Sequence, residues 1–185
     1  MSTDLAALLT KLQTPPHGLR RRPDTSLQFC DAVPVPEPVL FDTTVYIDVL
    51  HGQLSDHLKR EIARLEPWHS SVVESEMTYL CGRLDPNHPG TSHVIQEIAS
   101  IVDHWPPARV LNPDREIWRE AAILSGILAR LQHVKDEDRG RTMNDALIFL
   151  SAAQHGGAVL TRNVRDFDLL MQLVPEGKAV FYRIP

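Results

Sequence analysis

Cysteine is scarce in this chain, and long apolar runs and excess positive charge are missing from it. Its 185 residues contain two cysteines, Cys30 and Cys81. Two thiols make neither a disulfide framework nor a metal spacing, and they fit a reducing cytoplasm in which both stay free. No apolar run reaches the roughly 18 residues of a membrane span. The start, Met1-Ser2-Thr3-Asp4, lacks the basic-then-apolar layout of a secretory signal. A soluble, cytoplasmic protein with no membrane partner is expected. The net charge of −5 gives no bulk attraction to nucleic acid or membranes, so local arginines or bound cations must draw in any polyanionic partner. Nine histidines are scattered with no His-x-His or His-Glu-x-x-His spacing, which argues against a histidine-rich zinc site. Internal repeats and low-complexity segments are absent too.

What is present is an ordinary globular composition, long enough for one sizeable core. Residues 1–37 differ from the rest. Leu5, Leu8, Leu9 and Leu12 recur at helical spacing. Then come Pro15-Pro16, the basic cluster Arg20-Arg21-Arg22-Pro23 and the run Pro34-Val35-Pro36-Glu37-Pro38. Prolines lack donors and bias their neighbours toward extended backbone. This stretch reads as an N-terminal arm or linker with a short helix, ahead of a main domain over residues 38–185.

From Pro38 onward strand and helix patterns alternate. Strands are expected at 39–42, 70–73, 109–111, 158–161 and 179–184. Helices are expected at 43–50, 56–65 with Ser55 as a cap, 74–81, 91–105, 115–131, 143–155 and 164–173, with 133–141 as a charged loop and Thr142 as a cap. Connections of this length produce right-handed crossovers and a mainly parallel five-stranded sheet in an α/β fold.

Four carboxylates stand out. Asp42 ends an apolar strand, in the crevice where open α/β sheets bind ligands. Glu76 follows the second strand, Asp145 starts a helix, and Asp166 follows the fourth strand. In a parallel sheet Asp42, Glu76 and Asp166 share one edge. Taken singly, Glu76, Asp145 and the nearby Asp168 read as helix caps, but four carboxylates in one crevice would repel strongly unless cations intervened. Hard oxygen ligands select Mg²⁺ or Mn²⁺, and such ions activate water against a phosphodiester.

The segments Phe41-Asp42-Thr43-Thr44, Ser71-Val72-Val73 with Glu76, Asn144-Asp145-Ala146-Leu147-Ile148, and Leu160-Thr161-Arg162-Asn163-Val164-Arg165-Asp166-Phe167 together resemble a PIN domain, most closely the VapC-type toxins of bacterial toxin–antitoxin pairs. The resemblance covers about residues 38–185. It implies a three-layer PIN-like α/β fold around the parallel sheet and a Mg²⁺- or Mn²⁺-dependent endoribonuclease, in which metal-activated water cleaves RNA to leave a 5′-phosphate. It also implies a homodimer silenced by a cognate antitoxin. By the same resemblance Asp42, Glu76, Asp145 and Asp166 are the metal-binding and catalytic acids. Glu74 competes with Glu76 for the second place. Thr44, Thr161 and Asn163 would hold the acids and water from behind; Asn163 stands where other members place an aspartate. Arg162, Arg165 and Arg141, with Arg139 beside it, either contact RNA phosphates or only balance the acids.

Two other classes compete. A phospho-receiver needs an acidic pair on its first strand, where this chain has one acid, and a lysine after its last strand, where Lys178 comes before it. A phosphatase with Asp-x-Asp at its first motif would need an acid in place of Thr44. A catalytically inactive PIN-fold module that binds RNA or protein stays open.

Overall fold

Val39-Leu40-Phe41 is a fully buried strand segment and the line along which the molecule assembles. In the computed structural model, which describes residues 4–12, 18–31, 33–132 and 139–185, this strand β1 (Val39–Phe41) pairs in parallel with β4 (Ala158–Thr161). Strand β4 in turn pairs in parallel with β5 (Lys178–Phe181), with Leu40, Val159 and Ala179 in register. A second ladder joins β2 (His69–Ser70) to β3 (Val110–Leu111), again in parallel.

The expected single five-stranded sheet is therefore corrected to a three-stranded sheet, β1-β4-β5, and a two-stranded one, β2-β3. Their link is one bridge, in which the Trp68 amide donates to the Val39 carbonyl at 2.7 Å and the Phe41 amide to the Trp68 carbonyl at 3.3 Å. The reason is local. Pro67 offers no donor before Trp68, and helix α4 (Ser71–Arg83) begins directly after Ser70. The Ser70 hydroxyl accepts the Val72 amide at 3.1 Å. That N-cap overrides the β-branched pair Val72-Val73, which had suggested strand through residue 73.

The remaining helices are α1 (Leu5–Lys11), α2 (Thr43–Leu50), α3 (Asp56–Ile62), α5 (Thr91–Val102), α6 (Arg115–Gln132), α7 (Arg139–Gln154) and α8 (Val164–Leu173). Helix α7 lies across β1, β4 and β5, and α6 stacks on α7. Sandwiched in this way, Ala146-Leu147-Ile148-Phe149 is buried on every side, as a helix between two layers must be. Helix α7 starts a turn earlier than expected, so Thr142 lies inside it rather than capping it. Of the expected charged loop, residues 133–138 fall outside the described residues. Gly156 adopts φ 69° and turns the chain out of α7 toward β4. Beside β1, His69 stacks on Trp105 and meets the Tyr46 hydroxyl at 2.6 Å; burial holds its pKa down near 4. Among the described residues no helix is long and apolar enough to cross a membrane.

The described part of the arm packs onto the domain. Leu12, Leu19, Phe29, Cys30 and Val35 join the main hydrophobic cluster. Residues 28–30 run beside β5, with the Phe181 amide donating to the Gln28 carbonyl and the Cys30 amide to the Phe181 carbonyl. Asp168, fully buried on α8, anchors the segment: it accepts the Arg22 amide at 2.7 Å and the Arg22 Nε at 2.6 Å. Truncation of Arg22 takes the guanidinium from a buried carboxylate and leaves it the Arg22 amide and Gln172 Nε2. Arg22→Ala should cost roughly 2 kcal/mol in urea unfolding; a loss below about 0.5 kcal/mol, the range of an indifferent surface change, would contradict this anchoring.

Candidate metal centre

The parallel ladder brings the C-terminal ends of β1 and β4 together, and Asp42 is the first residue beyond β1. Its amide donates to the Leu160 carbonyl at 3.1 Å. Its side chain caps α2 by accepting the Thr44 amide. The Thr44 and Thr161 hydroxyls each donate to its Oδ2 at 2.7 Å. Asp42 is thus both a helix cap and a carboxylate 3% exposed. Burial raises its pKa, against the pull of those hydrogen bonds.

Glu76 lies in the second turn of α4, because that helix starts at Ser71. It accepts hydrogen bonds from the Thr43 hydroxyl and from Asn144 Nδ2 at 2.9 Å. Its pKa is raised, first by burial and further by the charge of Asp42. Glu74 stands in the first turn, roughly 200° around the helix from Glu76, so Glu76 is the acid that faces Asp42.

Asp145 sits in the second turn of α7 and is 6% exposed. Its pKa is raised well above the ordinary carboxylate range, first by burial and then by Asp42, Asp166 and Glu76, with Arg141 opposing. Asp166, in the first turn of α8, donates its amide to the Asn163 side chain. Asn163 Nδ2 bridges the last two acids, at 3.1 Å from Asp145 and 2.9 Å from Asp166. The other three acids, Asp42, Glu76 and Asp166, are thus the electrostatic neighbours of Asp145, and the Thr44, Thr161 and Asn163 side chains hydrogen-bond to acids of the set.

The arginines divide. Arg141 Nη2 lies 3.8 Å from Asp166. Arg141 and Arg165 line an open depression of about 130 Å³ beside Asp166, floored by Leu128 and Leu169. Arg162 instead turns its guanidinium onto the fully buried Asp48, with Nε at 2.7 Å and Nη2 at 3.1 Å. Its Nε and Nη2 are committed to that ion pair in this structure. The side chain of Arg139 lies outside the described residues.

Four contributors escaped the sequence reading: Thr43, Asn144, Asp48 and Tyr182. Thr43 and Asn144 adjoin Asp42 and Asp145 in the chain, which is the only signal they carried. Tyr182 donates to Asp48 at 2.8 Å across 134 positions, and no local pattern announces such a contact.

The donor set suits a hard divalent cation: four carboxylates, of which Asp145 and Glu76 have pKa values raised by burial and by neighbouring acids, without thiolate or imidazole among them. As they stand, no three His, Cys, Asp or Glu side chains among the described residues are close enough together to hold an ion. Asn163, Thr43 and Asn144 instead hold individual carboxylates by hydrogen bonds, so coordination requires the acids to draw inward. Asp42, Glu76, Asp145 and Asp166 are the residues that would do so.

The electrostatics makes Asp145 a cost to the metal-free fold. Its folded pKa lies above the unfolded one, so its contribution to stability is present at low pH and is lost as pH rises through the folded value. Asp145→Asn should raise the melting temperature by a few degrees in EDTA near pH 7.5, and the gain should shrink as pH falls toward the ordinary carboxylate range. A lower melting temperature at pH 7.5 would contradict the crowding of charge described here.

A family model for the PIN domain matches residues 39–170, a span that holds all four acids. No curated protein matches in sequence at a significant level. Among solved structures, a chain of VapBC2 from Rickettsia felis bound to a promoter DNA fragment aligns with TM-score 0.55 at 12% identity, covering 78% of this chain and 98% of that one. FitAcB from Neisseria gonorrhoeae gives 0.55 at 19% identity, over 77% and 96%. DNA-bound VapBC from Salmonella typhimurium gives 0.55 at 16%, over 78% and 97%. At these identities the structural likeness is one of fold, and it agrees with the sequence family: the chain belongs to the PIN domain family.

Proposed function

We propose that this chain is a Mg²⁺- or Mn²⁺-dependent endoribonuclease, the toxin of a toxin–antitoxin pair. The observation that carries the reading is the buried Asp145, bridged to Asp166 by Asn163 Nδ2 and within electrostatic range of Asp42 and Glu76. Concentrated negative charge of this kind is unfavourable in the free protein and useful when a cation binds. A bound Mg²⁺ or Mn²⁺ would lower the pKa of a water molecule and neutralise charge on a phosphoryl oxygen.

The chain's own residues supply the rest. Asp42 and Asp145 are fixed by β1 and α7, two elements of the rigid core, while Glu76 and Asp166 approach from α4 and α8. Thr44 and Thr161 hold one oxygen of Asp42, which orients the carboxylate before any ligand arrives. Arg141 and Arg165 provide local positive charge beside Asp166 on a chain whose net charge is −5. Guanidinium groups there suit the flanking phosphates of RNA. The structural neighbours include VapBC2 and FitAcB, which supports a cognate antitoxin partner for this chain; homodimerisation and a cytoplasmic site of action complete the proposal.

The test is cleavage of varied RNAs by the purified chain in Mg²⁺ or Mn²⁺. Products should carry 5′-phosphate and 3′-hydroxyl ends. EDTA should abolish cleavage, and Asp42→Asn should lower it by more than about 100-fold, since loss of an outer-layer partner alone costs up to that factor. Cleavage indifferent to both would refute the nuclease reading. Tight Mn²⁺ binding with no cleavage of any RNA would point instead to an inactive PIN-fold module that binds RNA or protein.

A further inference from the structure

We propose that Asp48, Arg162 and Tyr182 form a positioning set that aims Asp42 into the acid cluster by way of Thr44 and Thr161. The inference rests on the metal-centre reading above and names residues that it does not require. Asp48 lies six positions after Asp42 on α2 and is fully buried. An isolated carboxylate there would be prohibitively costly. It is matched on two sides: by the Arg162 fork, at 2.7 and 3.1 Å, and by the Tyr182 hydroxyl, at 2.8 Å.

Arg162 acts at both ends of this arrangement. Its side chain is clamped to Asp48, while its amide donates to Thr44 Oγ1 at 3.2 Å. The next amide, that of Asn163, donates to Thr161 Oγ1 at 2.9 Å. Each threonine hydroxyl therefore receives a backbone N–H and has its own proton left to donate. Both protons point to Oδ2 of Asp42, at 2.7 Å each. The clamp on Asp48 thus fixes the backbone of residues 162–163, and that backbone sets the direction of the two hydroxyls. The geometry leaves one face of Asp42 committed and the other oriented.

A buried ion pair can also serve stability alone, and the experiment separates the two roles. Mn²⁺ binding is followed by the electron paramagnetic resonance signal of free Mn²⁺, and melting temperature is measured in EDTA, for the full-length wild-type chain, Tyr182→Phe and Arg162→Lys. Tyr182→Phe deletes one hydroxyl. Arg162→Lys keeps the charge facing Asp48 but loses the two-pronged geometry, so it keeps the question open to measurement even if the tyrosine variant misfolds. Each folded variant should bind Mn²⁺ about 10-fold more weakly, the scale on which outer-layer partners act, at a temperature well below its melting point. Variants with lower melting temperatures but Mn²⁺ affinity within about twofold of wild type would overturn the positioning role, with the metal-centre reading left standing. A wild-type chain that takes up no Mn²⁺ would overturn the metal-centre reading and this inference together.

Discussion

The constraint on which this molecule turns is the confinement of like charges at the C-terminal edge of a short parallel sheet. Asp145 is nearly inaccessible to solvent and has Asp42, Glu76 and Asp166 as electrostatic neighbours. Nothing in core packing asks for this. A hydrophobic or neutral group at Asp145 would suit the metal-free protein better, because a buried carboxylate among carboxylates loses hydration and gains repulsion. The surrounding structure holds the charges in place by brute enclosure and by directed hydrogen bonds. Helix α7 is wedged between the sheet and α6, and Asn163, Asn144, Thr43, Thr44 and Thr161 each donate to one or more of the acids.

That enclosure explains why the flanking elements look as they do. Strands β1 and β4 need be only three and four residues long, since their task is to deliver Asp42 and Thr161 side by side. The arm before Pro38 adds apolar cover and an extended segment at β5, and it is locked by Arg22 on Asp168. Arg162 and Asp48 form a neutralised pair beside the cluster. Arg141 and Arg165 stand at the rim, where they are exposed and able to meet a phosphate.

Much of this was legible in the chain before any coordinates. The apolar run ending at Asp42 and the clean strand at 158–161 follow from local pattern, and they lie where that pattern placed them. The four acids were visible because each follows an apolar strand or opens a helix, and a parallel sheet puts such positions on one edge. The second strand was misjudged because Val72-Val73 favours strand locally, whereas the Ser70 cap and the burial of both valines on α4 favour helix; tertiary packing outweighs propensity there. The fate of Arg162 was hidden for a different reason. Its partner Asp48 looks like an ordinary helix-face residue, and only the fold brings α2, the turn after β4 and Tyr182 to one point. Contacts across more than a hundred residues leave no periodic trace in a single sequence.

The central claim is that the clustered carboxylates exist to hold a divalent cation, and its most direct test is anomalous diffraction from a crystal of this chain grown or soaked with Mn²⁺. The account predicts an anomalous peak among Asp42, Glu76, Asp145 and Asp166, with carboxylate oxygens drawn in to roughly 2.2 Å and the Asn163 amide released from at least one of the two acids it now bridges. Well-diffracting crystals at millimolar Mn²⁺ with no peak there, and with the Asn163 bridge between Asp145 and Asp166 intact, would contradict it.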